Sequence, residues 1–266
     1  MNNHNTMQFY KYQGAGNDFV IVDDRKKTFD AQNTALVAHL CDRRFGVGAD
    51  GLMLLQEHPD YDFEMVYYNA DGNVGSMCGN GGRCIVAFAK HLGIIGQETK
   101  FLAVDGEHEA SLNAAGDWVS LKMIDVQDIR RDGDAYVLNT GSPHYVQLVE
   151  NLAKLDIYQE GRAIRYSSTY QEEGINVNFV EALPEGYAVC TYERGVEDET
   201  LACGTGVTAV ALAMAVQRQE MGDIETPIKV KGGNLRIRFS RDGEHTFSNI
   251  YLEGPAKLVF EGGIEA

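Results

Sequence analysis

The sequence predicts an α+β protein of two pseudo-symmetric domains, each a mixed β-sheet wrapped around a central buried helix. Two observations predict this fold class. Short segments recur along the 266-residue chain at a constant spacing of 125 residues, which indicates an internal duplication. In each half, a Cys-Gly-x-Gly sequence comes directly before a stretch that is apolar on nearly every side. A helix of that kind is buried within its domain.

The duplication rests on four matches that occur in the same order in both halves. The matched positions are Cys78 with Cys203, Asn17 with Ser142, Gly51 with Asn176, and residues 67–69 (Tyr-Tyr-Asn) with residues 192–194 (Tyr-Glu-Arg). One match could arise by chance, but four in order at one spacing are poorly explained by chance. We therefore predict an N-terminal domain at 1–129 and a C-terminal domain at 130–255. The polar segment 126–134 is predicted to be the linker.

Each half is expected to contain strands followed by the helix. Alternating apolar and polar residues predict strands at 63–68, 118–123, 176–181, 187–192, 235–239 and 250–253. The two apolar helices are predicted at 84–92 and 207–217, and a peripheral helix at 31–41. The segment 256–260 (AKLVF) is expected to be a last strand that returns to the first domain, so that 256–266 joins it.

Composition narrows the classes of partner. The chain has 23 Lys and Arg against 39 Asp and Glu, a net charge of −16, which disfavours binding to a phosphate backbone. Its first ten residues lack a secretory signal, and no apolar run is long enough to span a membrane. Five cysteines without CxxC spacing predict reduced thiols in the cytoplasm. We expect no nucleic acid, membrane, metal or organic cofactor.

The cysteines Cys78 and Cys203 each lie where a central helix is expected to begin. A helix start presents backbone N–H groups and a partial positive charge, which bind a carboxylate and favour a thiolate. One such start from each domain, facing a common interdomain cleft, would form an active site with two thiols and two anion cradles. A thiolate and a thiol can invert a carbon by removing a proton from one face and delivering one to the other. Cys41, Cys84 and Cys190 lack this context and are predicted to be packing residues.

Two long segments resemble the signature segments of the diaminopimelate epimerase family: NADGNVGSMCGNGGRC (69–84) and YERGVEDETLACGTG (192–206). GAGNDFV (14–20), GSPH (141–144) and INVNFVE (175–181) resemble its smaller motifs in the right order. The resemblance covers all but about the first six residues. It implies an isomerase, independent of pyridoxal phosphate, that interconverts LL- and meso-diaminopimelate for lysine and peptidoglycan synthesis. It also implies a homodimer.

The resemblance assigns roles to individual residues. The catalytic thiols would be Cys78 and Cys203, and His144 and Glu193 would tune them. Substrate would be held by Asn17, Asn69, Gly79, Asn80, Asn176, Glu193, Arg194, Gly204 and Thr205. Arg194 can clamp the distal carboxylate through two parallel hydrogen bonds. Glu193 can attract an ammonium group and favour a protonated thiol beside it. His144 can take up a proton near neutral pH.

Two positions depart from the pattern of the better-known members, many of which carry Asn in place of Ser142 and Gln in place of Gly51. A serine can still donate or accept one hydrogen bond, so Ser142 is kept as a candidate substrate contact. A glycine offers only its backbone, so a contact from Gly51 is doubtful. Both departures bear on substrate geometry rather than on the type of reaction.

Three alternatives stay open at this point. A related two-thiol racemase of proline or hydroxyproline would leave the polar side chains around Arg194 without a substrate group to bind, which is costly. A thiol redox protein would cycle Cys78 and Cys203 through a disulfide. An amino-acid binding protein would bind the ligand without exchanging its α-proton.

Overall fold

The computed structural model describes residues 6–75 and 77–265, and the chain divides into two compact units. Unit 1 comprises Met1–Leu121 and Pro255–Ala266, and unit 2 comprises Lys122–Gly254. None of the helices in the described residues is long and apolar enough to cross a membrane.

Unit 1 is a mixed sheet with two helices. Its strands are β1 (Thr6–Gly14), β2 (Asn17–Asp23), β3 (Gly51–Gln56), β4 (Phe63–Asn69), β5 (Glu98–Ala103), β6 (Gly106–Leu112), β7 (Trp118–Lys122) and β17 (Lys257–Glu265). Its helices are α1 (Thr34–Cys41) and α2 (Gly79–His91). The last strand of the chain, β17, pairs antiparallel along β1, so both ends of the described chain lie in one sheet.

Unit 2 repeats this arrangement with a few additions. Its strands are β8 (Ile129–Asp132), β9 (Ala135–Asn139), β10 (Pro143–Leu148), β11 (Asn176–Ala182), β12 (Tyr187–Glu193), β13 (Asp198–Glu199), β14 (Gly222–Val230), β15 (Gly233–Arg241) and β16 (Phe247–Pro255). Its helices are α3 (Ile157–Arg165) and α4 (Gly204–Gln217), with a 3₁₀ turn at Leu152–Lys154.

The strand pairings of the two units are the same. β2 pairs parallel with β3, β3 antiparallel with β4, and β4 parallel with β5. In unit 2, β10 pairs parallel with β11, β11 antiparallel with β12, and β12 parallel with β14. The register also repeats, because Phe19 is opposite Gly51 in unit 1 and His144 is opposite Asn176 in unit 2, each 125 residues later. The duplicated sequence therefore builds the same topology twice.

Both central helices are buried. Every residue of α2 from Asn80 to Ala89 is buried, and so is every residue of α4 from Gly206 to Ala215. Glycine and alanine supply many of these residues, and their small size lets the helices lie close to the strands. The predicted α+β class, with a central buried helix in each half, is confirmed.

Several predicted boundaries were wrong in ways that local chemistry explains. The peripheral helix begins at Thr34 rather than residue 31, because Asn33 caps it by accepting a hydrogen bond from the Leu36 N–H at 3.0 Å. Both central helices begin earlier than predicted, so that the Cys-Gly-x-Gly glycines lie in the first turn. Part of the expected linker, Ile129–Asp132, is strand β8, paired with β9 across a tight turn at Gly133. Its polar residues are those of an edge hairpin.

Candidate active site

Cys78 is the N-cap residue of α2. Its backbone is extended, with φ −113° and ψ 122°, and its carbonyl accepts the first helical hydrogen bond from Gly82 N at 2.7 Å. Its side chain makes no capping hydrogen bond. Ser, Thr, Asp or Asn would stabilise a helix at this position better than Cys. The cysteine is therefore poorly explained by helix stability, and its sulfur lies where the helix dipole favours a negative charge.

Cys203 occupies the same position in unit 2. It is the N-cap residue of α4, with φ −115° and ψ 111°, and its carbonyl accepts from Val207 N at 2.9 Å. Its side chain also makes no capping hydrogen bond. The two cysteines thus have the same backbone conformation, and their ψ angles differ by only about 11°. Their spacing of 125 residues predicts this similarity.

The other three cysteines are in environments that keep them protonated. Burial raises the pKa of Cys41 to about 11 and that of Cys84 to about 12. Burial also raises the pKa of Cys190 to about 12, with a further contribution from a hydrogen bond to Glu199. All three are thiols at neutral pH, as expected of packing residues.

A chain of hydrogen bonds supports the helix start of unit 1. Arg83 Nη2 donates to Asn80 Oδ1 at 2.8 Å, and Asn80 Nδ2 donates to Asn17 Oδ1 at 2.6 Å. Asn17 Nδ2 in turn donates to Asp50 Oδ2 at 3.0 Å, and Asp50 is paired with Arg43 at 2.7 Å. The predicted substrate residues Asn17 and Asn80 are therefore brought together, and each amide is fixed in one orientation.

Arg83 is fully buried, and sequence reasoning missed it. Its guanidinium donates to the Gly79 carbonyl at 3.4 Å as well as to Asn80, while its Nε has no partner among the described residues. Burial lowers its pKa, and the titratable groups that favour its charged form are the sulfurs of Cys84 and Cys78. A buried cation beside the helix start adds to the positive potential around Cys78.

Gly51 and Asn69 face each other across the β3–β4 pair. Asn69 is exposed. At Gly51, a Cβ atom would lie 2.6 Å from the ring of Tyr67 and 2.6 Å from the Tyr68 carbonyl oxygen. The Tyr67 ring thus fills the space that a larger residue at position 51 would take. A side-chain contact from this position is excluded, which explains the departure noted in the sequence.

Substituting Gly51 by alanine is expected to destabilise the protein by about 1–3 kcal/mol, because the Tyr68 carbonyl belongs to the paired strand and cannot move away cheaply. Gly96→Ala is the matched control, since nothing lies within 4 Å of a Cβ there and its φ is not positive. It should change stability by less than about 0.5 kcal/mol. Urea denaturation of both variants tests this. Equal midpoints would show that the contact with Tyr67 and Tyr68 is relieved without cost.

Asn176 is a buried connector in unit 2. Its Nδ2 donates to Ser142 Oγ at 2.7 Å and to the Pro143 carbonyl at 3.0 Å, and its Oδ1 accepts from the Arg194 backbone N at 2.9 Å. Both of its N–H donors are engaged within the protein. Asn176 therefore holds Ser142 and Arg194 in place. Since Ser142 Oγ accepts from Asn176, its own hydroxyl proton is not used in this hydrogen bond.

Glu193 is the last residue of strand β12, and Arg194 follows it directly. Burial raises the pKa of Glu193 above its usual value. Arg194 is exposed, and its Nη1 donates to the Glu173 carbonyl at 2.9 Å. This contact holds one side of the guanidinium and leaves the remaining N–H groups for a bidentate anion.

His144 is fully buried on β10. Its Nε2 lies 2.9 Å from Thr205 Oγ1 and its Nδ1 lies 3.1 Å from Asn178 Nδ2. Burial lowers its pKa from 6.5 to about 3, with the charge of Arg194 acting in the same direction. The ring is therefore neutral at neutral pH, because an imidazolium would be desolvated. The predicted role of His144 in tuning the thiols stays a prediction.

The chain resembles known proteins over nearly all of its length. The family model for diaminopimelate epimerase matches residues 9–127 and 136–259. The chain belongs to the diaminopimelate epimerase family. Curated relatives named diaminopimelate epimerase include one from Flavobacterium psychrophilum, 52% identical over 256 residues, covering 96% of this chain and 99% of the relative. Another from Chlorobaculum tepidum is 42% identical over 261 residues, covering 94% of this chain and 98% of the relative.

Solved structures resemble the chain in fold. A Bacillus anthracis phenazine biosynthesis protein of the PhzF family aligns with a TM-score of 0.74 at 13% identity, covering 97% of this chain and 99% of its own. A probable proline racemase from Agrobacterium radiobacter aligns with a TM-score of 0.68 at 14% identity, and the alignment covers 97% of this chain and 92% of the racemase chain. At these identities the likeness shows a shared fold only. As a member of the diaminopimelate epimerase family, this chain is related to epimerases, which are isomerases.

Besides Arg83 and Asp50, the structure adds site residues of unit 2 that sequence reasoning missed. Thr140 Oγ1 donates to the Thr205 carbonyl at 2.8 Å, and Thr191 Oγ1 donates to Asn178 Oδ1 at 2.9 Å. Asn178 is fully buried. One signal was present, since Asn178 is two residues after Asn176 on β11 and strand alternation places both on one face. Within the described ranges, no group of three or more His, Cys, Asp or Glu side chains is placed to hold a metal ion.

Because His144 is buried and neutral, we expect this protein to be less stable in acid than at neutral pH. The unfolded chain binds a proton at this residue near pH 6.5, whereas the folded protein does not until about pH 3. The free energy of unfolding should therefore fall as pH is lowered from 6.5 towards 3, by at most about 1.4 kcal/mol per pH unit. A His144→Gln variant should lose this slope. Urea unfolding at pH 7, 6, 5 and 4.5 measures it.

Glu193 acts with the opposite sign, because its raised pKa makes the folded state bind a proton before the unfolded state does. It is present in both proteins, so the difference between their slopes isolates His144. Identical slopes in wild type and His144→Gln would show that His144 is not the buried neutral group.

Proposed function

We propose that this protein interconverts LL-2,6-diaminopimelate and meso-diaminopimelate without pyridoxal phosphate, using Cys78 and Cys203 as a two-base pair. The carrying observation is that each unit places one cysteine at an equivalent helix start. Membership of the diaminopimelate epimerase family supports the choice of substrate. The product would serve lysine and peptidoglycan precursor synthesis.

In the proposed reaction, a thiolate removes the α-proton from one face of the substrate carbon. The electron pair of the broken C–H bond moves towards the α-carboxylate, and the thiol on the opposite face delivers its proton to the carbon. The first sulfur ends as a thiol and the second as a thiolate, so the pair is ready for the reverse direction. The proposed domains, 1–129 with the last strand and 130–255, each contribute one sulfur.

The first turns of α2 and α4 would bind the reacting carboxylate. Gly79, Asn80, Gly204 and Thr205 supply backbone N–H groups at the two helix starts, where no intrahelical partner exists. Negative charge grows on the carboxylate as the proton leaves, so preorganised donors there stabilise the transition state more than the ground state.

The other end of the substrate would be held by the polar side chains of both units. Arg194 would clamp the distal carboxylate, assisted by the hydroxyl of Ser142, and Glu193 would attract the ammonium group. Asn17 and Asn69 would complete the polar contacts. Proline has no distal charged group, and these side chains would be left unsatisfied on binding it, which disfavours the proline racemase alternative.

The direct test incubates the purified protein with LL-diaminopimelate, without added cofactor or metal and with a thiol reductant. Appearance of meso-diaminopimelate on a chiral column is the expected result. Racemisation of L-proline in place of this reaction would support the proline racemase alternative. Binding without any interconversion would support an amino-acid binding protein.

We further propose that the enzyme acts as a homodimer in the cytoplasm, where the two thiols stay reduced. The family resemblance supports the dimer. Light scattering coupled to gel filtration should give twice the 29.3 kDa mass of the chain. A mass equal to that of one chain at assay concentration would contradict the dimer without affecting the proposed reaction.

A further inference from the structure

The ring of His144 bonds at both of its nitrogens to side chains whose own partners are known. Asn178 Nδ2 lies 3.1 Å from His144 Nδ1, and Thr205 Oγ1 lies 2.9 Å from His144 Nε2. All of these residues lie in unit 2, and His144 and Asn178 are fully buried. The direction of each hydrogen bond can therefore be worked out from its neighbours.

Asn178 must donate to His144. The same Nδ2 lies 3.0 Å from the Tyr145 carbonyl oxygen, which can only accept, and Asn178 Oδ1 accepts from the Thr191 hydroxyl at 2.9 Å. The amide is thus held with its NH₂ group towards the ring. His144 Nδ1 accepts a proton from it and carries none of its own. Because the ring is buried and neutral, its one proton is on Nε2.

Thr205 must then accept from His144. The Nε2–H donates to Thr205 Oγ1, so the single hydroxyl proton of Thr205 is available for another acceptor. Cys203 Sγ lies 3.5 Å from that oxygen, within range of a hydrogen bond to sulfur. The Thr205 backbone is held by Thr140, which fixes the position of the hydroxyl. A hydroxyl aimed at a sulfur favours the thiolate over the thiol.

We propose that Asn178 is a positioning residue of the active site: it holds His144 as the Nε2–H tautomer, so that Thr205 donates to Cys203 and favours its thiolate. We call Asn178, His144, Thr205 and Cys203 the relay. The relay deepens the proposed function and rests on it for its catalytic meaning. It assigns His144 a fixed donor role in place of proton exchange with solvent.

The duplication indicates that the relay belongs to one thiol only. The positions equivalent to His144 and Asn178 in unit 1 are Phe19 and Met53, 125 residues earlier. Both are buried against the start of α2, where a Cβ on Gly81 would lie 3.3 Å from the Met53 sulfur and 3.6 Å from the Phe19 ring. Neither side chain has a hydrogen-bond donor. The two sulfurs are therefore expected to ionise differently.

Unit 2 contains other charged groups, which are the same in all the variants compared below. Glu193 ends β12 and Arg194 follows it, and Glu181 lies near the end of β11. Arg241 on β15 donates to the Ala215 carbonyl at the far end of α4. The strands β10, β11, β12, β14 and β15 all pack against α4. Since none of these groups is changed, differences between the variants report the relay.

The first test determines the tautomer directly. Protein labelled with ¹⁵N at histidine is examined by NMR, and the His144 signals are assigned from their loss in His144→Gln. A protonated Nε2 and an unprotonated Nδ1, unchanged from pH 5 to pH 8, are expected. Asn178→Leu should abolish the single tautomer. A protonated Nδ1, or an imidazolium in this range, in the wild type would overturn the proposal.

The second test measures the ionisation of Cys203 by thiolate absorbance in a Cys78→Ala background. The raised pKa values of Cys41, Cys84 and Cys190 keep them out of the neutral range. Adding Thr205→Val should raise the pKa of Cys203 by about 1, whereas Thr205→Ser should leave it unchanged. Thr226→Val is the control for a buried threonine elsewhere in unit 2 and should have no effect.

The relay would be contradicted if the pKa of Cys203 were the same with valine as with threonine at position 205. It would also be contradicted if Thr205→Ser raised the pKa of Cys203. Because Thr205→Val preserves size and shape, it keeps the proposal testable if Asn178→Leu does not fold. Neither measurement uses turnover of diaminopimelate. A protein that shows the relay but has no epimerase activity would overturn the proposed function alone. A protein that epimerises diaminopimelate but fails these two tests would overturn the relay alone.

Discussion

Cys78→Ala and Cys203→Ala are each expected to lower the rate of epimerisation by about 10²–10⁴-fold while leaving the fold intact. Each face of the α-carbon needs its own proton carrier, and a general acid or base contributes about 10²–10⁴-fold. In the proposed mechanism each sulfur would act as acid in one direction and as base in the other, so the loss should appear in both directions. Conversion is followed by chiral chromatography, and folding by circular dichroism and urea denaturation.

Cys190→Ala is the matched control, because Cys190 is a partly buried cysteine of unit 2 with a raised pKa. It should retain nearly full activity. Cysteine-to-serine variants at positions 78 and 203 should remain severely impaired, since a hydroxyl is a far weaker acid than a thiol. Near-normal turnover by either alanine variant would refute the two-base assignment.

Arg194→Ala is expected to lower kcat/KM for diaminopimelate by about 10³–10⁴-fold, because the distal carboxylate would lose its bidentate partner. Arg194→Lys should recover little, since an ammonium group cannot reproduce the planar fork of donors. The wild-type enzyme should likewise discriminate against L-lysine, which lacks the distal carboxylate. Rates with LL-diaminopimelate and L-lysine at equal concentration measure both effects.

Arg162→Ala serves as the control for Arg194, because Arg162 is an exposed arginine on α3 of the same unit and contacts Tyr166. It should change kcat/KM by less than about twofold. Comparable rates on lysine and diaminopimelate in the wild type would show that Arg194 does not recognise the distal carboxylate.

The fold was predictable to the extent that it depends on repetition and local patterns. The spacing of Cys78 and Cys203 revealed the duplication, and the apolar stretches after them revealed the two central helices. The helix starts were placed too late, because glycines in a first turn weaken the helical pattern while the strand packed alongside requires them. Gly206 shows this, since a Cβ there would lie 2.5 Å from Asn178 Oδ1.

The positions of Cys78 and Cys203 at the two helix starts were predictable, and their catalytic role stays a prediction. The contacts around them were not predictable. The charge state of His144 depends on burial by side chains distant in sequence, and a motif such as GSPH carries no information on burial. Nothing in the sequence allowed a prediction about Arg83, which is fully buried. Asn176 is predicted to contact the substrate, and the sequence did not show that its amide donors also hydrogen-bond within the protein. Such facts arise only from the folded neighbours.

Whether two thiols act on opposite faces of one substrate carbon is tested most directly by where solvent deuterium appears early in the reaction. LL-diaminopimelate is incubated with the enzyme in deuterium oxide, and both the meso product and the recovered LL substrate are analysed by mass spectrometry before a tenth of the substrate is converted. The donating thiol carries solvent deuterium, so nearly every product molecule should carry one deuterium while the recovered substrate carries almost none. Product that retains the original proton, or substrate labelled as fast as product, would contradict a two-base mechanism.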